Sequence, residues 1–298
     1  MKKALYIVLL LILFVAADRG ISGLLNIGLN RYFGLNQHSQ ILIIGHSQLM
    51  LSFDKEKLEH GTGYKVSKYC REGVNVADRY AMVKQYLDSP FCDSLTTILY
   101  GVDQFMFNGE GLSANSYTLF YPFMDHADMN AYIRASASKG DYWKHKLICS
   151  TRYSDALLNS SIRGWTRNWE NYKTGELDTV TLRQQVDARQ QISIHFEPEL
   201  RDAFEKTIAL AEKRQIHIIL VNTPVAKMLN EYEPEKFEQV HSYFQSLAEQ
   251  SAYVDYIDLN PEFAAQYDCF YDPIHVNPKG QEAITKQLIV FLNQRGHK

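Results

Sequence analysis

Short, largely apolar runs alternate with longer amphipathic stretches over most of the chain. Residues 41–44 form a wholly apolar run that ends at Gly45, and residues 96–100, two threonines followed by three apolar residues, end at Gly101. Short apolar runs of this kind are typical of strands that are buried on both faces of a sheet. A further strand is predicted from the alternating pattern of residues 64–69, and two more are predicted at residues 216–221, which are very apolar, and 253–257.

Helical periodicity follows each of these runs. The predicted helices cover residues 48–58, 75–87, 199–214, 234–250 and 281–293. Repeated strand–helix–strand units predict an α/β fold, in which a parallel sheet lies between two layers of helices in a three-layer α/β/α arrangement. In such folds the functional site lies beyond the carboxyl ends of the strands.

Residues 104–198 interrupt this alternation. They contain all three tryptophans and few strand signals, so we expect a mostly helical insertion. Trp165 and Trp169 are four residues apart, which would place them on one face of a helix. Their rings would serve either as a substrate-binding wall for a sugar or an acyl group, or as the insertion's own core.

The first residues of the chain carry a targeting pattern. Lys2 and Lys3 precede an apolar run at residues 4–17, which ends at Asp18. This layout fits a secretory signal peptide cleaved after residue 17, or an uncleaved helix that anchors the chain in a membrane, and the anchor is slightly favoured. Both alternatives assign residues 1–25 to the targeting segment and residues 38–298 to a domain on the extracytoplasmic, periplasmic side of the cell envelope.

Composition narrows the classes of function. The 31 basic and 34 acidic residues give a net charge of −3, and no basic run suggests a nucleic-acid partner. The four cysteines form no CxxC pair, which argues against zinc, and they are compatible with either disulfides or buried thiols. Asp125, His126 and Asp128 are interpreted as a solvated turn, so we expect neither a metal nor a cofactor.

Two short motifs carry the candidate chemistry. Gly45-His46-Ser47 comes where the first strand turns into its helix, a position that exposes a serine hydroxyl at the edge of the sheet. Asp272-Pro273-Ile274-His275 precedes the last helix, and an acid three residues before a histidine can hold one ring nitrogen while the other faces a serine. The two motifs together predict a catalytic triad of Ser47, His275 and Asp272.

These blocks resemble the SGNH (GDSL-like) hydrolase superfamily, whose first block is a G-D-S turn and whose last block is D-x-x-H. The hydrophobic N-terminus and the divergent blocks resemble its membrane-associated, cell-envelope branch, which includes the proteins that O-acetylate alginate and the D-alanylation protein of teichoic acids. The resemblance implies a flavodoxin-like α/β/α fold, a serine nucleophile, a histidine base, an aspartate that orients it, and acyl esters as substrates.

The chain departs from the family pattern in the residues that would bind an oxyanion. The resemblance assigns this role to the amides of Ser47 and Gly73, and to a block-three Asn that is replaced here by Asp103. An ionised Asp103 would repel an oxyanion, so it is expected to stay protonated, to bind another group, or to leave the role to the other donors and Gln104. His46 replaces the usual Asp of the first block and is expected to be structural or exposed.

The sequence therefore predicts an extracytoplasmic serine esterase or O-acyltransferase. Its predicted substrate is a cell-envelope glycan that carries a small acyl group, and acetyl is the favoured group. The alternative is a non-catalytic envelope protein that keeps the fold to bind a glycan or a membrane partner. A hydrogen bond between Ser47 and His275 is expected for the enzyme and not for the binding protein.

Overall fold

The chain forms two compact units, which are described separately. The structure, a computed structural model, describes residues 2–109 and 115–295. Unit 1 contains residues 2–36 and 115–168, and unit 2 contains residues 37–109 and 169–295.

Unit 2 is built on a parallel sheet of five strands in the order β2-β1-β3-β4-β5. Each strand lies within two residues of its predicted position, and the α/β fold class is confirmed. The strands are β1 (Ile41–Gly45), β2 (Val66–Cys70), β3 (Thr97–Val102), β4 (His217–Asn222) and β5 (Val254–Asp258).

Helices cover both faces of this sheet. On one face, Ile41, Ile43 and Leu99 pack in a core with Ile284 and Leu288 of the last helix. The helices of unit 2 are α2 (Ser47–Ser52), α3 (Lys55–Thr62), α4 (Val76–Leu87), α8 (Thr179–Asp187), α9 (Pro198–Lys213), α10 (Lys227–Asn230), α11 (Pro234–Gln250), α12 (Asn260–Phe263) and α13 (Pro278–Arg295).

Aromatic side chains fill the core on the opposite face. The ring of Tyr100 in β3 lies 5.3 Å from that of Phe204 in α9, and Phe204 lies 6.1 Å from Phe244 in α11. Successive residues of a strand point to opposite faces, so Leu99 and Tyr100 belong to different cores. This arrangement is the three-layer α/β/α architecture.

The single helix predicted at residues 48–58 is wrong, because the chain forms two helices there. Phe53 is extended, with φ −126° and ψ 133°, and ends α2. Asp54 then caps α3 by accepting a hydrogen bond from the amide of Lys57 at 3.1 Å. A capping aspartate of this kind starts a new helix that apolar periodicity alone does not reveal.

A small hairpin follows the sheet. Its strands are β6 (Phe270–Asp272) and β7 (His275–Val276), which pair antiparallel with Asp272 opposite His275. The short connection between them places both residues of the predicted motif on one tight turn.

Unit 1 is helical. It contains α1 (Lys2–Phe33), α5 (Ala127–Ser136), α6 (Lys139–Leu147) and α7 (Asp155–Thr166), with 3₁₀ segments at Ser116–Phe123 and Cys149–Arg152. The segment predicted as an insertion, residues 104–198, is mostly helical; its residues 115–168 belong to unit 1 and residues 169–198 to unit 2. Residues 110–114 of it lie outside the described part of the chain.

Helix α1 changes character along its length. It continues well beyond the apolar run at residues 4–17, and its buried residues begin at Asp18. The carboxylate of Asp18 accepts hydrogen bonds from the amides of Cys149 and Ser150 at 2.8 and 2.7 Å. The preceding turns are exposed, and a window of α1 with mean hydropathy 2.2 is only 6% buried. By length and composition α1 is able to cross a membrane.

Two further sequence questions are answered by local structure. All four cysteines are free thiols, so the disulfide alternative is not realised. Helix α7 ends at Thr166, and Arg167 has a left-handed backbone with φ 52°. Trp165 and Trp169 therefore do not share a helix face, and the expectation based on their spacing is wrong.

Candidate active site

The site lies where the order of the sheet reverses. Strand β1 pairs with β2 on one side and with β3 on the other, so the connections that leave β1 and β3 diverge. Such a switch point opens a crevice at the carboxyl ends of the strands. Ser47 lies two residues after the end of β1, and Asp103 directly follows β3.

Three of the predicted site residues form a continuous hydrogen-bonded chain. Nε2 of His275 lies 2.8 Å from Oγ of Ser47. Nδ1 of the same ring lies 2.8 Å from Oδ2 and 3.0 Å from Oδ1 of Asp272. The network assigns the ring proton to Nδ1, which donates to Asp272, and leaves Nε2 to accept from the serine hydroxyl.

Asp272 is fixed by its own turn. Its Oδ1 also accepts the amides of Ile274 and His275 at 3.0 and 2.9 Å. Burial alone would raise the pKa of Asp272, but the hydrogen bond and charge of His275 and these two amides hold it below its ordinary value. The carboxylate is therefore ionised at neutral pH.

Segment 169–178 is hydrogen-bonded to the hairpin that contains His275. The side-chain amide of Asn171 donates to the carbonyl of Val276 at 2.7 Å. That of Asn277 donates to the carbonyls of Gly175 and Asp268, both at 2.9 Å. Both amides are buried, so these bonds fix the position of β7 relative to the sheet.

Two backbone positions beside Ser47 are suited to bind a developing oxyanion. Ser47 is the first residue of α2, where amides have no acceptor within the helix. Gly73 lines the same cavity and has φ 76°, a left-handed conformation that favours glycine. These are the two backbone donors that the resemblance to the SGNH superfamily assigns to the oxyanion hole.

Asp103 lines the cavity, and both of its oxygens are hydrogen-bonded within the protein. Its Oδ2 lies 2.6 Å from Nε2 of His46, and its Oδ1 accepts the amide of Phe105 at 2.8 Å. A carboxylate that accepts with both oxygens offers no hydrogen to an oxyanion. The contacts therefore give no support to Asp103 as an oxyanion-hole residue and favour the expectation that it binds another group.

His46 is neutral in this arrangement. It caps α2, since its Nδ1 accepts the amide of Gln48 at 3.1 Å, and only an unprotonated nitrogen can accept. Burial lowers the pKa of His46 from its ordinary value. Burial would raise the pKa of Asp103, but the bond with His46 and the nearby charge of Arg79 keep it low. The pair is thus a neutral donor and an ionised acceptor.

Arg79 was not found by the sequence analysis. It is 1% exposed, lines the cavity beneath the site, and donates from Nη1 to the carbonyl of Gly101 at 2.8 Å. Its charge offsets that of the buried Asp103. A single arginine in an amphipathic helix carries no sequence signal for such a position.

A cavity of about 560 Å³ opens beside Ser47. Ser47, Gly73 and Asp272 contribute to its wall. Residues from the segments after β3 and α8 also line it, and the sequence analysis assigned no role to them.

The two tryptophans predicted to bind substrate each contact residues of their own unit. In unit 1, Trp165 donates from Nε1 to the carbonyl of Leu24 at 3.1 Å, and the guanidinium of Arg31 lies 4.3 Å from its ring centre. In unit 2, the ammonium of Lys55 lies 4.7 Å from the ring of Trp169, which is not among the residues that line the cavity. The substrate-binding role of the two residues stays a prediction.

Two other candidates have structural partners. The side-chain amide of Gln104 donates to Asn230 at 3.3 Å. Asp125 pairs with Arg152 at 2.8 Å and with Lys146 at 3.7 Å. Within residues 2–109 and 115–295, no group of three or more His, Cys, Asp or Glu side chains is arranged to hold a metal ion.

Known proteins resemble this chain in structure. No protein-family model matches the chain, and no curated protein matches its sequence. A structure from Streptococcus pneumonia, described provisionally as a platelet activating factor, aligns with a TM-score of 0.43 and 13% identity. The alignment covers 97% of this chain and 99% of that one.

Proposed function

We propose that the protein is a serine-dependent acyl esterase or O-acyltransferase. The hydrogen bond of 2.8 Å between Ser47 and His275, continued by that between His275 and Asp272, carries this proposal. A nucleophile, a base and an orienting acid within hydrogen-bond distance at the edge of a cavity are the groups that ester cleavage requires.

The first step forms an acyl-enzyme. Oγ of Ser47 attacks the ester carbonyl while Nε2 of His275 takes its proton, and the amides of Ser47 and Gly73 bind the oxyanion. The tetrahedral intermediate then expels the alcohol, which receives that proton from His275. Asp272 stabilises the imidazolium between these two events.

The second step releases the acyl group. Water, or a hydroxyl of an acceptor such as a sugar, loses its proton to His275 and attacks the acyl carbonyl. The products are a carboxylic acid or a new ester, and Ser47 regains its proton. Hydrolase and transferase differ only in this acceptor, so the same residues serve both.

The proposed cellular location of the protein is inferred from α1. We place unit 2 on the extracytoplasmic side of the cell envelope, because Lys2 and Lys3 precede the apolar turns of α1 and positive charges favour the cytoplasmic side. On this proposal, acylated molecules of the envelope, glycans among them, are the substrates.

The alternative of a non-catalytic binding protein expects Ser47 and His275 to be separated by more than one bridging water. The direct contact between them gives that alternative no support.

The test is labelling with a fluorophosphonate probe, which reacts with activated serines. We expect the wild-type protein to be labelled at Ser47 and the Ser47→Ala variant to remain unlabelled. Ser52→Ala is the matched control, because Ser52 ends the same helix and donates to the carbonyl of Gln48 at 2.7 Å. Equal labelling of wild type and Ser47→Ala would refute the proposed enzyme.

A further inference from the structure

The cavity beside Ser47 presents an apolar surface that begins at the reacting atoms. Val74 follows Gly73, and Ile274 lies between Asp272 and His275. Four more apolar side chains contribute to the lining of the cavity: Phe105, Met106, Ile192 and Leu229.

Much of the polar lining is already hydrogen-bonded within the protein. Asn108 donates to the carbonyl of Ser193 and accepts the amide of His195, both at 2.9 Å. Gln191 donates to Gln185 at 3.1 Å, and His46 and Asp103 are hydrogen-bonded to each other. A sugar ring needs several hydrogen bonds from its site, and groups that are bonded to each other are poor partners for it.

The size of the cavity also exceeds the needs of an acetyl group. Its volume of about 560 Å³ falls in the range, roughly 300–1,000 Å³, of sites that enclose ligands much larger than one methyl group. Ile192 is 64% exposed, so apolar surface remains in contact with water in the absence of a ligand. Burying that surface against a hydrocarbon chain is favourable.

From these observations we propose that the cavity binds the hydrocarbon chain of an acyl group longer than acetyl, of about six to ten carbons. The inference rests on the proposed function and names its substrate class: medium-chain acyl esters. It departs from the acetyl group that the sequence resemblance favours, because the lining offers an acyl chain apolar contact that a single methyl group cannot use.

A series of p-nitrophenyl esters from acetyl to decanoyl tests this on the full-length protein in detergent. The leaving group is constant, so kcat/KM reports the acyl chain alone. Each methylene buried against the cavity wall should raise kcat/KM about fourfold, and hexanoate should exceed acetate by more than about a hundredfold.

A pair of variants links the effect to this cavity. Ile192→Glu places a charge on its apolar surface and should lower the octanoate-to-acetate ratio of kcat/KM by about tenfold or more. Val290→Glu is the matched control, because Val290 is a similarly exposed apolar residue on α13 and does not line the cavity. Its ratio should equal that of the wild type.

The outcomes separate the two proposals. A kcat/KM that is highest for acetate, or an unchanged ratio in Ile192→Glu, overturns the chain-length inference, while the serine enzyme stands if Ser47 is labelled. Failure to cleave any ester, together with failure of the fluorophosphonate to label Ser47, overturns both.

Discussion

Asp272 binds the ring of His275 through both of its oxygens, and its proposed catalytic role can be separated from its contribution to folding. Asp272→Asn keeps the size of the side chain but removes its charge and favours the wrong tautomer of His275. We expect kcat to fall by about 10³- to 10⁴-fold with little change in the melting temperature.

Asp268→Asn is the matched control, because Asp268 lies four residues before Asp272 and pairs with Lys279. Its kcat for the preferred ester should stay within a few-fold of the wild type. An Asp272→Asn enzyme as active as this control would show that His275 does not need the carboxylate.

His46 makes stability depend on pH. Because burial lowers its pKa in the folded chain, the unfolded chain binds a proton near pH 6.5 while the folded chain does not. The free energy of unfolding should therefore fall as the pH drops below about 6.5. His145, whose pKa is lowered by burial in unit 1, acts in the same direction.

The His46→Gln variant isolates this contribution. Its amide can still donate to Asp103 but does not titrate, so the loss of unfolding free energy between pH 7 and pH 5 should be smaller than in the wild type. Urea unfolding at the two pH values measures the difference. Equal losses in the two proteins would mean that His46 is not held neutral by the fold.

At the scale of elements, the close approach of α1 and α7 defines unit 1. A Cβ added to Gly28 would lie 2.7 Å from Cδ1 of Trp165 and would also meet Ser161, whereas one added to Gly20 in the same helix meets nothing within 4 Å. Gly28→Ala must therefore separate the two helices. We expect it to destabilise unit 1 by about 1–3 kcal/mol.

Gly20→Ala provides the comparison within one helix. It should be neutral, or stabilising by up to about 1 kcal/mol, because alanine favours the helix and has room there. Thermal unfolding in detergent, combined with trypsin digestion, compares the two variants. Similar melting temperatures would argue against tight packing of α1 on α7.

At the scale of the whole molecule, we expect α1 to determine where the protein resides. Its exposed apolar turns should hold the chain in a membrane through alkaline carbonate extraction. Replacing Leu10 and Leu11 by Lys puts two charges in the middle of this segment, at a cost of about 2.5–3.5 kcal/mol each. The variant should move largely to the soluble fraction, and Val290→Lys should not.

Mass spectrometry of the N-terminus completes this test. An intact residue 1 or 2 in the membrane fraction is the result expected for an anchor, and a mature chain that begins at Asp18 is the result expected for a cleaved signal peptide. The carbonate-resistant form should be the uncleaved one, since cleavage removes the apolar turns.

The sequence was sufficient where short-range patterns dominate the physics. Strands of a buried parallel sheet are rich in apolar residues, so apolar runs, and an alternating pattern at residues 64–69, predicted five strands to within two residues. The motifs around Ser47 and Asp272 were also readable, because a strand–turn–helix junction and an aspartate three residues before a histidine each set their geometry locally. The boundaries of helices were harder to predict from the sequence. The cap at Asp54, which starts a new helix within a stretch predicted as one helix, is an example.

The tertiary structure decided what depends on contacts between distant segments. The meeting of Ser47 with His275 across 228 residues, the pairing of His46 with Asp103, and the cavity lined from several loops all require the folded sheet. The two tryptophans show the same limit, since aromatic composition indicates burial or binding but not the partner. Apolar periodicity along a chain indicates which residues are buried. Which residues they contact is determined only when the chain folds and distant segments pack together.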